Sequence, residues 1–252
     1  MVYGGAMGKK AKARRAETVR EHATGIEEAS GVAPLPDGSF LVVDDEEGVF
    51  RLALQGEPES LAAGRGLADL EGVCVAHDGA AAWVLAERDG GVWRFEMAQG
   101  KLRNGVRIGA LPRLNDRKNA GWEGLAFAPA GTWADAPRLV AAHQRKPRSI
   151  SIVEPDSLRV DRTFSLPKAA KKALDDLNDV AVHPESGEIV VLSGKAGRLA
   201  RLERDGEELE LRGLYSVEEH DDDVPEGLAY DSSGRLWIVW DGSGRLREIR
   251  LP

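Results

Sequence analysis

A short phrase recurs five times along this chain of 252 residues, and few folds accept that repetition. Each copy opens on a small, acidic or amide residue, then Gly or Asp, then aliphatics. The copies are Ser30-Gly31-Val32, Glu71-Gly72-Val73, Glu123-Gly124-Leu125, Asn178-Asp179-Val180 and Glu226-Gly227-Leu228. A tight-turn phrase usually follows, such as Pro36-Asp37-Gly38 or Asp231-Ser232-Ser233-Gly234. A second apolar run comes next, such as Phe40-Leu41-Val42-Val43 or Leu236-Trp237-Ile238-Val239. Short strands punctuated by Gly-containing turns and repeated in this way specify a radial array of sheets. The expected fold is all-β, a single β-propeller.

Successive phrases begin 41, 52, 55 and 48 residues apart, and each interval holds a four-stranded blade with its loops. Five blades is the expected count, with a degenerate sixth in the longer intervals as the alternative. Only 25 residues follow Gly227, enough for three strands of the last blade. Residues near Glu17–Glu21 are expected to supply its fourth strand, closing the ring without an exposed sheet edge. The domain then spans residues 17–252, behind a basic, flexible tail of residues 1–16. Lys168–Leu174 reads as a short helical insertion, the one stretch of strong helix propensity.

Composition narrows the function. Apolar content of 42% fills a core, and no apolar run approaches the ~18 residues of a membrane span. The net charge is −8, yet residues 1–20 hold six basic residues against Glu17, so the remainder carries −13. A body this acidic repels nucleic acid. The single cysteine, Cys74, excludes an internal disulfide, and the basic N-terminus lacks the apolar stretch of a secretory signal. The expected protein is cytoplasmic and monomeric, with no membrane partner.

Loops leading into the inner strands carry Glu27-Glu28, Asp69, Asn115-Asp116, Asp175-Asp176 and Asp221-Asp222-Asp223, so one face should present a ring of acids. The innermost ring is Ser30, Glu71, Glu123, Asn178 and Glu226. Three carboxylates converging on one axis cannot all ionise without a counter-cation. Oxygen-only donors select a hard ion, so Glu71, Glu123, Asn178 and Glu226 are the candidate ligands of Ca2+ or Mg2+. The competing reading is that these residues satisfy backbone amides around the axis. On the same face, Arg88, Arg145, Lys146 and Lys195 are candidates for holding an anionic ligand. Glu87 and His143 are the leading candidates for a general base. His77 and His183 fall in turns on the opposite face and are expected to be solvated. The tryptophans are expected to pack between blades. No nucleophile elbow, phosphate-binding loop, dinucleotide fingerprint or zinc spacing is present.

The phrases Leu70-Glu71-Gly72-Val73, Asn119-Ala120-Gly121-Trp122-Glu123-Gly124-Leu125-Ala126 and Leu177-Asn178-Asp179-Val180 resemble the SdiA-regulated (YjiK-like) β-propeller family, over roughly residues 28–250. They also resemble the related phytase-like propellers. The resemblance implies a propeller with a central divalent ion. Glu71, Glu123 and Glu226 match the family's Glu-Gly positions, whereas Ser30 and Asn178-Asp179 depart from them. A fainter similarity reaches the lactonase and gluconolactonase propellers, whose Glu, Asn and Asp metal set is only partly present.

The function expected from these residues is binding of a divalent cation and a small or anionic ligand at an acidic channel mouth. The alternatives are a metal-dependent hydrolase of a small phosphoester, ester or lactone, and a protein-interaction scaffold.

Overall fold

The computed structural model describes residues 13–62, 67–115, 121–217 and 223–252. Its sheets form five blades, and the longer intervals hold no sixth. Blade 1 comprises Ala29–Pro34, Phe40–Asp44, Gly48–Leu52 and Glu59–Ala62, numbered outward from the axis. Blade 2 comprises Leu70–Val75, Ala81–Ala86, Gly91–Ala98 and Lys101–Ala110; its long outer hairpin accounts for the 52-residue spacing. Blade 3 comprises Trp122–Ala128, Arg138–His143, Ser149–Val153 and Val160–Ser165. Blade 4 comprises Asp179–Val182, Ile189–Ser193, Arg198–Asp205 and Glu208–Ser216. Within each blade the strands pair antiparallel, so every blade exposes two faces to its neighbours.

Blade 5 is built from both ends of the sequence. Val224–Tyr230, Leu236–Asp241 and Arg245–Arg250 are joined by Glu17–Ala23, which pairs antiparallel with the last of them from Glu17↔Arg250 to Ala23↔Arg245. The closure expected from the sequence is therefore present. Arg20–Glu248 and Arg247–Glu21 ion pairs at 2.7 and 2.6 Å lie along this seam. A strand at Arg14–Arg15 lies ahead of the expected boundary at residue 17. Arg14–Arg15 pairs parallel with the outer strand of blade 4, and the Ala16 amide donates to the Ser216 carbonyl at 2.9 Å. The Arg14 guanidinium donates to the Tyr215 hydroxyl at 2.7 Å and lies over its ring. The N-terminal segment thus binds blade 4 before it completes blade 5. Residues 1–12, the rest of the expected tail, lie outside the described residues.

Apolar residues pointing from adjacent blades form five wedges of core, one at each blade interface. Trp83, Trp237 and Trp240 are buried in these wedges, as expected for inter-blade packing. The helix forms at Lys168–Ala173 and buries Ala170 in the wedge between blades 3 and 4. Its end is held by Arg148 and Arg198, which donate to the Leu174 and Ala173 carbonyls. It is an inter-blade elaboration. Among the described residues no helix is long and apolar enough to cross a membrane.

The inner strands meet at the axis through glycine. A Cβ on Gly31 would stand 2.5 Å from the Glu71 carbonyl oxygen, and one on Gly72 would stand 2.7 Å from that of Glu123. On Gly124 it would meet the Asp179 Cα at 2.6 Å, and on Gly227 the Gly31 Cα at 2.8 Å. In each case the obstacle is the next blade's backbone, which cannot swing aside. The Gly of the repeated phrase is a packing requirement.

Deleting residues 1–24 removes a strand and the seam's ion pairs, and should lower the melting temperature by at least about 10 °C in one cooperative transition. Deleting 1–12 should leave it within about 2 °C, since the strap begins beyond that point. Equal melting of both truncations with the full chain would disprove the closure. Gly72→Ala should cost about 1–3 kcal/mol in denaturant unfolding, the range for overpacking against a neighbour that cannot relax.

Candidate functional site at the channel mouth

The strand pairing shows how the innermost ring is presented. In blade 1 the register passes from Ala29↔Asp44 to Gly31↔Val43, leaving Ser30 as the extra residue. The same shift leaves Glu71 unpaired in blade 2, Glu123 in blade 3 and Glu226 in blade 5. Each is a β-bulge, which re-aims the side chain and bends its strand next to the following glycine. Blade 4 is built differently. Its ladder from Asp179↔Leu192 has no such shift, and the Asn178 side-chain carbonyl accepts the Gly194 amide at 2.8 Å.

The loops around the ring share one face, stitched by backbone hydrogen bonds from Asp45 to Glu28, Asp69 to Asp45, Glu87 to Asp69 and Leu177 to Gln144. Loops leading into inner strands and loops between second and third strands therefore alternate around the mouth, as the sequence suggests. Of the expected acids on this rim, Asp116, Asp221 and Asp222 lie outside the described residues.

The result is a concentration of negative charge with little to balance it. Burial, then the charge of Glu226, pushes the Glu71 carboxyl up to about 9. Glu226 is raised to about 7, first by burial and then by Asp241, Asp45 and Asp176. Glu123, 5% exposed, is pushed well up by burial and by Glu71 and Glu87. Asp45, Asp241 and the exposed Glu28 are raised as well, each with other mouth acids among the causes. Among the described residues none of Glu71, Glu123 and Glu226 forms an ion pair. Among the same residues, no group of three His, Cys, Asp or Glu side chains is arranged to hold a metal ion as it stands.

The remaining candidates fall into different settings. Glu87 is at the mouth beside Glu123 and accepts the Gly121 amide at 3.4 Å. His143 is buried, 2% exposed, with Nδ1 against the Pro147 carbonyl at 2.8 Å and Nε2 against the Asn115 amide at 3.4 Å. Its ring also meets Trp122 edge-on, so it reads as a packed strand-end residue with no nitrogen left for a substrate. Arg145 is anchored at 3.2 Å by Asp176, whose other oxygen accepts the Ser193 hydroxyl at 2.6 Å. Arg88 pairs with Asp69 at 3.2 Å but is largely exposed, and Lys146 and Lys195 are exposed. The structure brings Arg145 and the four acids Glu71, Glu87, Glu123 and Glu226 to one mouth, and leaves the other cations on its rim. On the opposite face His77 is exposed as expected, while His183 is not fully solvated: it packs against Tyr230, and Nδ1 accepts the amides of Glu185 and Ser186.

One residue whose role sequence reasoning passed over ties the inner strands together. Asp179 occupies the position held by Gly31, Gly72, Gly124 and Gly227 in the other blades, and is 1% exposed. Its Oδ1 accepts the amides of Val180 at 2.7 Å and Leu125 at 3.2 Å, and its Oδ2 accepts that of Leu228 at 2.6 Å. One carboxylate thereby joins the inner strands of blades 3, 4 and 5. Burial pushes its pKa well up, and the three amides pull the other way. The signal was an acid inside an otherwise apolar strand, at a position where every other repeat has glycine.

Residues 11–242 match the model of the SdiA-regulated family. The chain belongs to that family. No protein of curated function matches it by sequence. Among solved structures, the Myxococcus xanthus glutaminyl cyclase aligns over 95% of this chain and 97% of its own, at 18% identity and TM-score 0.64. The PQQ-bound aldose sugar dehydrogenase of Streptomyces coelicolor aligns over 93% and 97%, at 14% identity and TM-score 0.58. A proposed gluconolactonase aligns over 94% and 82%, at 16% identity and TM-score 0.56. At these identities the likeness concerns the fold.

In this member of the SdiA-regulated family, Glu226 and Glu71, with pKa values raised mainly by burial, hold protons to a higher pH than the unfolded chain does. Stability linked to Glu226 and Glu71 is therefore greatest on the acid side, and is lost as pH rises through about 7 and then about 9. In chelator, the melting temperature should decline between about pH 6 and pH 9, and Glu71→Gln should flatten the upper part of that decline. A profile that rises over this interval would show the carboxyls to be ionised and compensated.

Proposed function

We propose that the acidic mouth takes up a divalent cation, Ca2+ or Mg2+, and through it a small anionic ligand. The observation that carries this reading is the crowding of Glu71, Glu123 and Glu226 on bulges at one axis, with no ion pair to any of them among the described residues. Such a set binds protons or a cation. Its donors are oxygens, which suit a hard ion. Because no three side chains enclose an ion as they stand, the seat this reading requires is open, with carboxylates on one side and ligand and water on the other. Asn178 is the weakest donor of the expected four, since its carbonyl already accepts the Gly194 amide. Arg145, fixed by Asp176, would meet the anionic end of the ligand.

A second reading, a metal-dependent hydrolase, draws on the same arrangement. A bound cation would supply Lewis-acid polarisation. Glu87, beside Glu123, is the candidate general base that stands at the mouth. Binding remains the better supported of the two, because His143 is enclosed.

Added Ca2+ or Mg2+ should raise the melting temperature and EDTA should lower it; a cation at a hundredfold excess over its Kd stabilises by about 2.7 kcal/mol. Glu123→Gln should abolish most of that response while keeping the fold. Indifference of the full chain to cation and chelator alike would overturn the proposal. Turnover of a phosphoester, aryl ester or lactone that is lost in Glu123→Gln and reduced in Arg145→Ala would move the reading from binder to hydrolase.

A further inference from the structure

The channel has a second end, and its chemistry is the opposite of the first. Two positions beyond each glycine of the repeated phrase stand Ala33, Cys74, Ala126, Ala181 and Ala229, with Asp179 filling the glycine layer in blade 4. This collar of small side chains borders a narrow space of about 70 Å3, which widens toward the face opposite the acids into a cavity of about 240 Å3. The wider part is walled by Phe127, Tyr230 and several prolines, with His77 and Ser232 on exposed turns at its rim.

We infer that this funnel is a binding site for a small, neutral aromatic molecule. Three observations select that class. The only acidic or permanently basic side chain among those lining the funnel is Asp231, and it is fully engaged. Its Oδ1 accepts the amides of Ser233 and Arg235, and its Oδ2 accepts Arg235 Nε at 2.7 Å and Trp237 Nε1 at 3.2 Å. A charged ligand would meet no counter-charge there. The aromatic walls are held from outside the cavity: Phe127 stacks with Trp83 at 5.8 Å, and Tyr230 meets His183 at 5.1 Å. Such fixed rings favour a ring-bearing ligand at little ordering cost. The volume bounds the size: the wider part, about 240 Å3, exceeds the about 150 Å3 that suffices for benzene. One or two fused rings fit this space. The site lies at the other end of the axis from the carboxylates, so it stands whether or not they bind a cation.

Titrating the full chain with 2-naphthol near neutral pH, followed by calorimetry, tests the inference. Saturable one-to-one binding is expected, with cyclohexanol at least about tenfold weaker. Ser232→Trp and His77→Trp place a large side chain at the rim from exposed turns, and each should weaken 2-naphthol at least about tenfold while melting like the parent. Lys172→Ala, exposed on the helix and outside the funnel lining, should leave the affinity within about twofold. Failure to saturate, equal affinity for cyclohexanol, or binding untouched by both rim variants would overturn the assignment.

Discussion

There is no room for a methyl group where the inner strands meet, and most of the molecule follows from that. Gly31, Gly72, Gly124 and Gly227 each face backbone of the adjacent blade at a distance no Cβ tolerates. With the strands drawn this close, the wedge-shaped spaces between blades are left to Val, Leu, Ile and Trp, which fill them outward from the axis. The close approach also leaves no inner space for a paired residue just before the glycine. The bulges at Ser30, Glu71, Glu123 and Glu226 resolve that, and in doing so present those side chains at the mouth. Packing and site are consequences of one contact.

The fourth blade shows the same constraint met differently. Asp179 replaces a glycine and uses its carboxyl group to gather amides from three blades, so a buried hydrogen-bond acceptor does there what close backbone contact does elsewhere. The three amides offset part of the effect of burial on this carboxyl, whereas among the described residues Glu71, Glu123 and Glu226 have no comparable donors. Acids a few residues apart along the same axis thus differ in kind: one is part of the architecture, the others store repulsion that a cation or proton relieves.

The fold was legible because its determinants are local and repeated. Glycine, the Asp-Gly turns and the short apolar runs each act through backbone geometry, so their spacing alone places five blades. The count of residues after Gly227 exposes the missing strand. The acids were legible as a set for the same reason. What could not be read was orientation. His143 looks available in sequence, yet the Pro147 carbonyl and Trp122 enclose it, contacts decided by how blade 3 turns at its mouth end. Lys146 and Lys195 share the right loops but remain in solvent, because nothing holds them inward as Asp176 holds Arg145. The strap formed by Arg14–Arg15 was hidden inside a basic run that reads as tail; Tyr215 and Ser216, distant in sequence, give it a place to bind.

The seam in blade 5 also governs when the molecule can come into being. Glu17 pairs with Arg250, so a chain leaving the ribosome carries its first strand unpartnered through the synthesis of four complete blades. During that interval the inner and outer faces of the growing arc end in open sheet, the surface most prone to pairing with another molecule. The alternating charges of Glu17, Arg20 and Glu21 keep the waiting strand soluble, and the same charges later find Arg250, Glu248 and Arg247. The strand that must wait longest is thereby one that carries charges of both signs.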